Sequence, residues 1–597
     1  MTTSADIDTT VAGQTVPSLF RDTVARIGDR VALRWKDGEE WKEWTFSDLA
    51  DKACRAAAGL TAAGIGPGDR IVLMLRNVPE FHALDLAALL VGATPISIYN
   101  SSSSEQIEYL VGHSGATLAL VEDKSFYDRF TPVMDRLGDL SAMGVVRPEG
   151  TEADLTWDSL LAHDPVDLDD AASIAKPDDL ITIIYTSGTT GPPKGVMLSH
   201  YNVAWTAEAL RLAFAKDDLT GMRLVSYLPM AHIAERATSH YSMLAMGYEV
   251  SCCPDAGLIG DYARDVRPQI MFGVPRVWEK IHARLMAGLG ADADKASQFD
   301  QAVAAASPIA QKLAWGEASE EEEATYAALD AAAFANVRHL LGFDHLEVAI
   351  TGAAPIPAEL LSWYRAIGIP LSEIYGMSEN TGPMCWEPYK IKPGTVGPAV
   401  PGLEVTLADD GEIICRGGLV FQGYLDQPDK TAEALDADGW LHSGDIGEQD
   451  NDGYFRIVDR KKELIITAGG KNISPANLEA ALKSIPLVGQ ACAIGDRRPF
   501  VSALVVLDPD EAPVWAKAHG LEGLSMSELA EHPEVTTAID EGLKEAMAAF
   551  NNAERVKKVK VLGDEWLPDS ELLTPTSKLK RRGVHSHFAE EIEALYT

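Results

Sequence analysis

The chain has 597 residues, 46% hydrophobic and 23% charged, a balance that fits a globular protein of several ordinary domains. Its 51 basic and 89 acidic side chains leave a net charge of −38, which argues against nucleic acid as a partner and requires any anionic ligand to be met by a local cluster of donors. The six cysteines (Cys54, Cys252, Cys253, Cys385, Cys415 and Cys492) have neither zinc-site nor disulfide-framework spacing and read as buried reduced thiols.

Residues 1–16 are polar and acidic, without the basic flank or apolar run of a signal peptide, and predict a loose, flexible tail. Alternation then sets in. Residues 31–36 and 40–45 predict a strand pair across Asp37-Gly38, and 46–63 a helix capped by Thr45 with Asp48 three residues on. Strands at 70–76, 94–99 and 117–121 are separated by helices at 80–91 and 105–112, the latter opened by a capping box of Ser103 and Gln106. Such alternation implies parallel sheets with helices on both faces. The longest apolar stretch, 81–99, holds His82 and Asp85 and is broken by Pro95, so no membrane span is predicted. An acidic connection at 164–179 precedes the apolar run 180–184.

Further strands are predicted at 223–228, 249–253, 270–274 and 346–350, with an Ala-rich helical region at 277–340 whose Glu320–Glu323 run reads as a solvated face. Two loops at strand ends, 351–355 and 374–380, lie where ligands gather in open parallel sheets. From 394 to 456 short strands with Gly-rich turns predict a small β subdomain. A dense charge cluster at 459–463 marks a boundary and a hinge, followed by another βα unit with a helix start at Ser474-Pro475 and paired strands at 491–494 and 501–507. The expected fold is α/β: a large N-terminal domain (17–458) of parallel-rich sheets with flanking helices and the β subdomain, then a smaller, mobile α+β lid (464–597).

The chemistry is most visible in Tyr185-Thr186-Ser187-Gly188-Thr189-Thr190-Gly191-Pro192-Pro193-Lys194-Gly195. Three glycines let backbone N–H groups approach a ligand, and hydroxyls and a lysine add donors, so the run predicts a nest for phosphate oxygens. It is not a Walker loop, which needs Gly-Lys-Ser/Thr four residues after its first glycine and opens a helix that two prolines would forbid.

This loop resembles that of the adenylate-forming superfamily of acyl- and aryl-CoA synthetases, adenylation domains and beetle luciferases. The resemblance covers roughly residues 17–588, with motifs in order: YLPMAHIAER at 227–236, TGAAP at 351–355, YGMSE at 375–379, WLHSGD at 440–445, YFRIVDRKK at 454–462 and LTPTSKLKR at 573–581. YLPMAHIAER, GVPRVWEK at 273–280, the helical region and the LTPTSKLKR ending look most like long-chain fatty acyl-CoA synthetases, the ending including the bubblegum type. Two departures are Ser378, where relatives usually carry Thr, and Ser577, where many carry Gly.

The resemblance implies that ATP and a long-chain fatty acid give acyl-AMP and pyrophosphate, after which CoA, the co-substrate, takes the acyl group. Thr186, Ser187, Gly188, Thr189, Thr190, Gly191 and Lys194 would hold phosphates, and Glu379 would bind Mg²⁺ with ATP. Gly352, Ala353 and Ala354 would pass beneath adenine, with Tyr375 stacked on the base and Gly376 beside it. Ser378 would touch the α phosphate, and Asp445 and Arg460 the ribose. Lys578 would be the catalytic lysine bridging carboxylate and α phosphate, with Lys580 the alternative. Lys462 would be the hinge, Gly469, Gly470 and Lys471 the CoA route, and His232 a border of the acyl pocket. Other histidines and aromatics, such as Trp278 and Trp363, read as packing residues.

The rival readings are the same chemistry on a medium-chain, aryl or steroid-side-chain acid, transfer to a carrier protein, or a non-catalytic nucleotide or acyl sensor. The expected location is the cytoplasm, with room for transient contact at the inner membrane face. Oligomeric state is left open.

Overall fold

The computed structural model describes residues 2–186, 192–216, 218–290, 292–466, 472–548, 550–552, 554–567, 570–574 and 578–597. Two sheets dominate. One has seven strands in the order Leu371–Glu373, Val348–Thr351, Ile270–Gly273, Arg223–Ser226, Glu249–Cys252, Val31–Asp37 and Glu40–Thr45, all parallel except the last pair. The other has five parallel strands, with Thr94–Ser97 and Arg70–Met74 at one side and Leu118–Val121, Ala142–Val145 and Leu155–Thr156 following.

Strand periodicity explains how both faces are covered. Ile71 and Leu73 enter the main core, whereas Val72 and Met74 enter a second core on the opposite face. Likewise Val348 and Ile350 face the main core, and Ala349 faces a third one beneath the helices of 275–341. The main core takes residues from both sheets. Its helix Pro79–Leu90 is buried nearly all round, as an apolar helix without a polar stripe must be. The predicted caps Thr45/Asp48 and Ser103/Gln106 are both formed.

Two differences from expectation are physical. The tail expected at 1–16 contains the helix Ser4–Thr10, with a Thr3/Asp6 capping box, and its Ile7 is buried. Asp8 accepts hydrogen bonds from Tyr201 Oη at 2.7 Å and Trp205 Nε1 at 3.0 Å, partners that lie far along the chain. The Gly/Thr-rich run joins two antiparallel strands, Leu180–Thr186 and Lys194–Ser199, in keeping with a sequence whose two prolines forbid a helix there. Second, the region expected as a β subdomain gives a four-stranded antiparallel sheet that runs on to Arg460, but its segment Gly423–Tyr424 pairs instead with Lys194–Ser199, the second strand of that hairpin.

Beyond residue 464, antiparallel strands Val488–Ile494 and Val501–Leu507, with Val556–Leu562 parallel to the latter, carry two further cores drawn only from that part of the chain. Ser474 caps the helix Pro475–Lys483, as its Ser-Pro start predicts. All six cysteines are buried and unpaired. Among the described residues, no helix is long and apolar enough to cross a membrane.

Candidate active site

Four neighbouring parallel strands end, at Ser226, Gly273, Thr351 and Glu373, on the same edge of the large sheet. The loops that leave them open into one cavity of about 3080 Å³, which is also lined by residues of the C-terminal part. Thr186, Lys194, His232, Ala353, Ala354, Tyr375, Gly376, Ser378, Glu379, Asp445, Arg460, Lys462 and Lys578 all line it. Gly352 is not among its lining residues. Ser187, Gly188, Thr189, Thr190, Gly191, Gly469, Gly470 and Lys471 lie outside the described residues, as do Pro575, Thr576 and Ser577 ahead of Lys578.

Thr186 and Lys194 face each other at the loop end of the hairpin. The Lys194 ammonium lies 3.9 Å from the centre of the Tyr424 ring, a cation–π contact, and the Tyr424 hydroxyl donates to Glu379 Oε1 at 2.7 Å. Burial lowers the Lys194 pKa, while Glu379 opposes it. Tyr424 thus ties a cation to a carboxylate in one wall. No motif in the sequence marks Tyr424, which reaches this wall only through its pairing with Val196.

Glu379 sits on a single 3₁₀ turn, Ser378–Asn380, braced by Met377 N–H donating to Asn380 Oδ1 at 2.7 Å. Thr381 follows with φ +57° and Ala353 has φ +68°, left-handed conformations that cost a residue with a Cβ. Gly352 and Gly376 answer to protein packing. A Cβ on Gly352 would lie 2.7 Å from the Ile374 side chain, and one on Gly376 would meet the Gly382 carbonyl oxygen at 1.7 Å. Close approach to a base is therefore not needed to explain either glycine.

Asp445 and Arg460 are cross-strand partners, 3.4 Å apart as an ion pair, and the Tyr375 hydroxyl donates to Asp445 Oδ2 at 2.6 Å. Burial raises the Asp445 pKa despite Arg460. Lys578 belongs to this group electrostatically. Desolvation lowers its pKa to about 8, Arg460 adds to the effect, and Asp445 and Glu379 oppose it. Its backbone is pinned by the Lys578 N–H donating to Thr574 Oγ1 at 3.0 Å and by Thr574 N–H donating to its carbonyl at 2.8 Å. Lys580 also lines the cavity, but its ammonium donates to the Ser570 carbonyl at 2.8 Å. His232 caps a short turn by accepting from Ala234 N–H at 3.1 Å; burial, then Lys578, hold its pKa down to about 4, so the ring is neutral.

The cavity continues into an apolar chamber with Leu210, Phe214, Ile233, Tyr248, Phe272 and Trp386 in its walls. Part of this wall, Ala237 and Thr238, lies on the π-helical segment Arg236–Tyr241. That segment is anchored by a fully buried polar network. Arg236 pairs with Asp85 and donates to Ser97 Oγ at 2.7 Å, His240 Nε2 lies 2.8 Å from Asp85 Oδ1, and His82 and His240 share a 2.9 Å contact between their Nδ1 atoms. Burial lowers the pKa of both rings, so they are neutral and one must donate to the other. As expected, Trp278 is a packing residue, fully buried with its Nε1–H on the Gly273 carbonyl at 3.1 Å; Trp363, expected to pack, also lines the cavity.

Residues 20–425 match the model of an AMP-binding enzyme, and 462–597 that of an AMP-binding enzyme C-terminal domain. The chain belongs to the AMP-binding enzyme family. It is 34% identical over 568 residues to a long-chain-fatty-acid–CoA ligase of Mycobacterium tuberculosis, covering 93% of this chain and 92% of that one. It is 33% identical over 618 residues to a long-chain-fatty-acid–CoA ligase of Xenopus laevis, covering 98% of this chain and 84% of the relative. Among solved structures, the adenylation domain of a carboxylic acid reductase from Segniliparus rugosus superposes with a TM-score of 0.77 at 20% identity, over all of this chain and 96% of that one. At that identity the last likeness speaks for the adenylate-forming fold alone.

Proposed function

We propose that this AMP-binding family member is an ATP-dependent, AMP-forming acyl-CoA synthetase acting on a long-chain fatty acid. The observation that carries the reading is the meeting of Lys194, Glu379, Asp445, Arg460 and Lys578 around one cavity that runs on into an apolar chamber. The two full-length relatives, both named long-chain-fatty-acid–CoA ligases, support the choice of substrate.

In the first half-reaction a carboxylate oxygen of the fatty acid bonds to the α phosphorus of ATP while the bond to pyrophosphate breaks. Two anions meet, so cations must shield them. Lys194, with Thr186 and the loop residues 187–191, holds the β and γ phosphates. Lys578 donates to the carboxylate and the α phosphate as charge builds, and Ser378 gives a hydroxyl to the α phosphate. Ala353, Ala354 and Tyr375 border adenine, and Asp445 and Arg460 hold the ribose. In the second half-reaction the sulfur of CoA bonds to the acyl carbon, AMP leaves with the bonding pair, and the thiol proton passes to solvent. The neutral ring of His232 borders the acyl carboxylate.

Among the described residues no group of three or more His, Cys, Asp or Glu could hold a metal by itself. A single buried carboxylate, Glu379, suits magnesium, which keeps waters and takes the rest of its shell from substrate phosphates. Magnesium held there would neutralise charge on the triphosphate. The hinge falls at 459–463 with Lys462 as its pivot, the lid is 464–597, and Gly469, Gly470 and Lys471 line the CoA route after the swing. This fits a cytoplasmic enzyme that meets the inner membrane face only transiently, since its own charge opposes anionic lipid.

The test is pyrophosphate release and AMP formation by the purified protein with ATP, magnesium and a panel of medium-chain, long-chain, aryl and steroid-side-chain acids. Long-chain acids should lead by about tenfold or more in kcat/KM, since each methylene seated in an apolar pocket adds specificity. AMP should accumulate only when CoA is supplied. Preference for an aryl or steroid acid, or transfer to a carrier protein but not to CoA, would replace this reading.

A further inference from the structure

The helix Pro275–Gly290 carries Arg276, Lys280 and Arg284 at intervals of four residues, a row of three cations about 12 Å from end to end on one helix face. All three line the large cavity. Such a row stands out in a chain of charge −38. Two of the cations are engaged by the C-terminal part: Arg276 pairs with Asp508, and the Lys280 ammonium lies 2.8 Å from Asp510 Oδ2. Lys280, then Arg276 and Arg284, hold the Asp510 carboxyl below its usual range. Arg284 is exposed and has no ion-pair partner among the described residues. Arg284 acts on Asp510 only through its charge, and its own guanidinium donors are left without a carboxylate among the described residues.

We infer that the row Arg276, Lys280 and Arg284 is the docking site for the phosphates of the CoA nucleotide, and that the carboxylates of Asp508 and Asp510 occupy it while the lid holds its present orientation. The inference rests on the thioester-forming reading above, which supplies a thiol substrate bearing a diphosphate and a ribose phosphate. Guanidinium groups suit phosphate oxygens because they offer paired donors, and successive positions of the row lie about 5–6 Å apart at Cβ, which lets their long side chains converge on adjacent phosphate groups. Carboxylate and phosphate compete for the same donors. The lid orientation that closes the site around Lys578 therefore withholds two of the three cations, and departure of the lid releases them to CoA. One charged row would then favour each orientation in turn.

Arg284 is exposed, so Arg284→Gln changes charge without disturbing packing. Adenosine 3′,5′-bisphosphate, which carries the nucleotide phosphates without the thiol arm, serves as a direct binding probe. Its dissociation constant should rise about tenfold in Arg284→Gln, the loss of one charge-assisted contact. In turnover, Arg284→Gln and Lys280→Gln should raise the KM for CoA by a similar factor while the KM for pantetheine, which lacks those phosphates, stays within about twofold. Asp510→Asn removes only the lid's hold on Lys280 and should leave the KM for CoA no higher than in the unaltered protein. Equal increases for CoA and pantetheine, or a CoA KM raised by Asp510→Asn, would make the row a lid fastening and overturn the assignment, as would bisphosphate binding indifferent to Arg284. If the protein binds the bisphosphate through Arg284 yet forms no thioester, the site stands and the proposed activity falls.

Discussion

At the scale of single residues, the protonation of Lys578 sets the pH dependence of the proposed first half-reaction. Burial brings its pKa down to about 8, so the ammonium is largely present at neutral pH and is lost as the pH rises through that value. The proposed chemistry needs the charged form. The kcat/KM of ATP–pyrophosphate exchange, which reports the free enzyme, should therefore be level below about pH 8 and fall about tenfold per unit above it. Lys578→Arg keeps a charge that does not titrate in this range, so its profile should lose the alkaline limb even though its rate is lower. Lys578→Ala should lose about 100-fold to 1,000-fold in the exchange reaction and still convert supplied acyl-AMP to thioester. An alkaline limb that survives in Lys578→Arg would assign the titration to another group, with Lys580 next in line.

At the scale of elements, much was legible because it is local. Capping boxes at Thr45 and Ser103, the Ser474-Pro475 start and the alternation of apolar strand residues are written in windows of a few residues, and each formed where expected. What escaped depends on partners distant in sequence. The helix Ser4–Thr10 is held by Tyr201 and Trp205, and Tyr424 enters the site only by pairing with the strand Lys194–Ser199. The apolar chamber is a property of packing between sheet and helices, so no motif announces it. The turn after Arg460 lies between these cases. Its charges were visible, but its bonds were not: Lys461 N–H donates to the Gly444 carbonyl at 2.8 Å, and the N–H groups of Glu463 and Leu464 donate to the Arg460 carbonyl at 2.9 and 3.1 Å. A proline at 462 would fix one φ angle of this tight turn and restrict Lys461 before it. If Lys462 is the pivot proposed above, Lys462→Pro should therefore keep acid-dependent pyrophosphate release within about threefold while acyl-CoA formation falls by about 100-fold, since the proposed swing serves only the second half-reaction. Rapid-quench measurement of acyl-AMP and acyl-CoA separates the two, and equal loss of both would remove the pivot from this position.

At the scale of the whole molecule, the cavity lies between two bodies whose described links are polar: Ser474 Oγ–H and Ala476 N–H donate to Asp459 Oδ2 at 2.6 and 3.1 Å, and Arg276 pairs with Asp508. Among the described residues no core cluster draws on both sides of the turn: the fully buried members of one group of cores end at Phe455 and those of the other begin at Ile465. The links across the cleft include exposed or half-exposed ion pairs such as Lys280 with Asp510, and pairs of that kind contribute about 0–1 kcal/mol each. The free protein should accordingly unfold in two calorimetric transitions, one for each set of cores. A non-reactive acyl-adenylate analogue would touch groups from both bodies, and at 100 times its dissociation constant it adds about 2.7 kcal/mol to whatever must stay folded to bind it. The two transitions should then draw together and shift upward. In Lys578→Ala the analogue keeps its contacts with the large body but loses the lid's ammonium, so only the large body's transition should rise. Scanning calorimetry of both proteins, with and without the analogue, decides the matter. A single transition in the free protein, or an analogue that stabilises the lid equally without Lys578, would show that the two bodies are coupled by something other than the ligand they share.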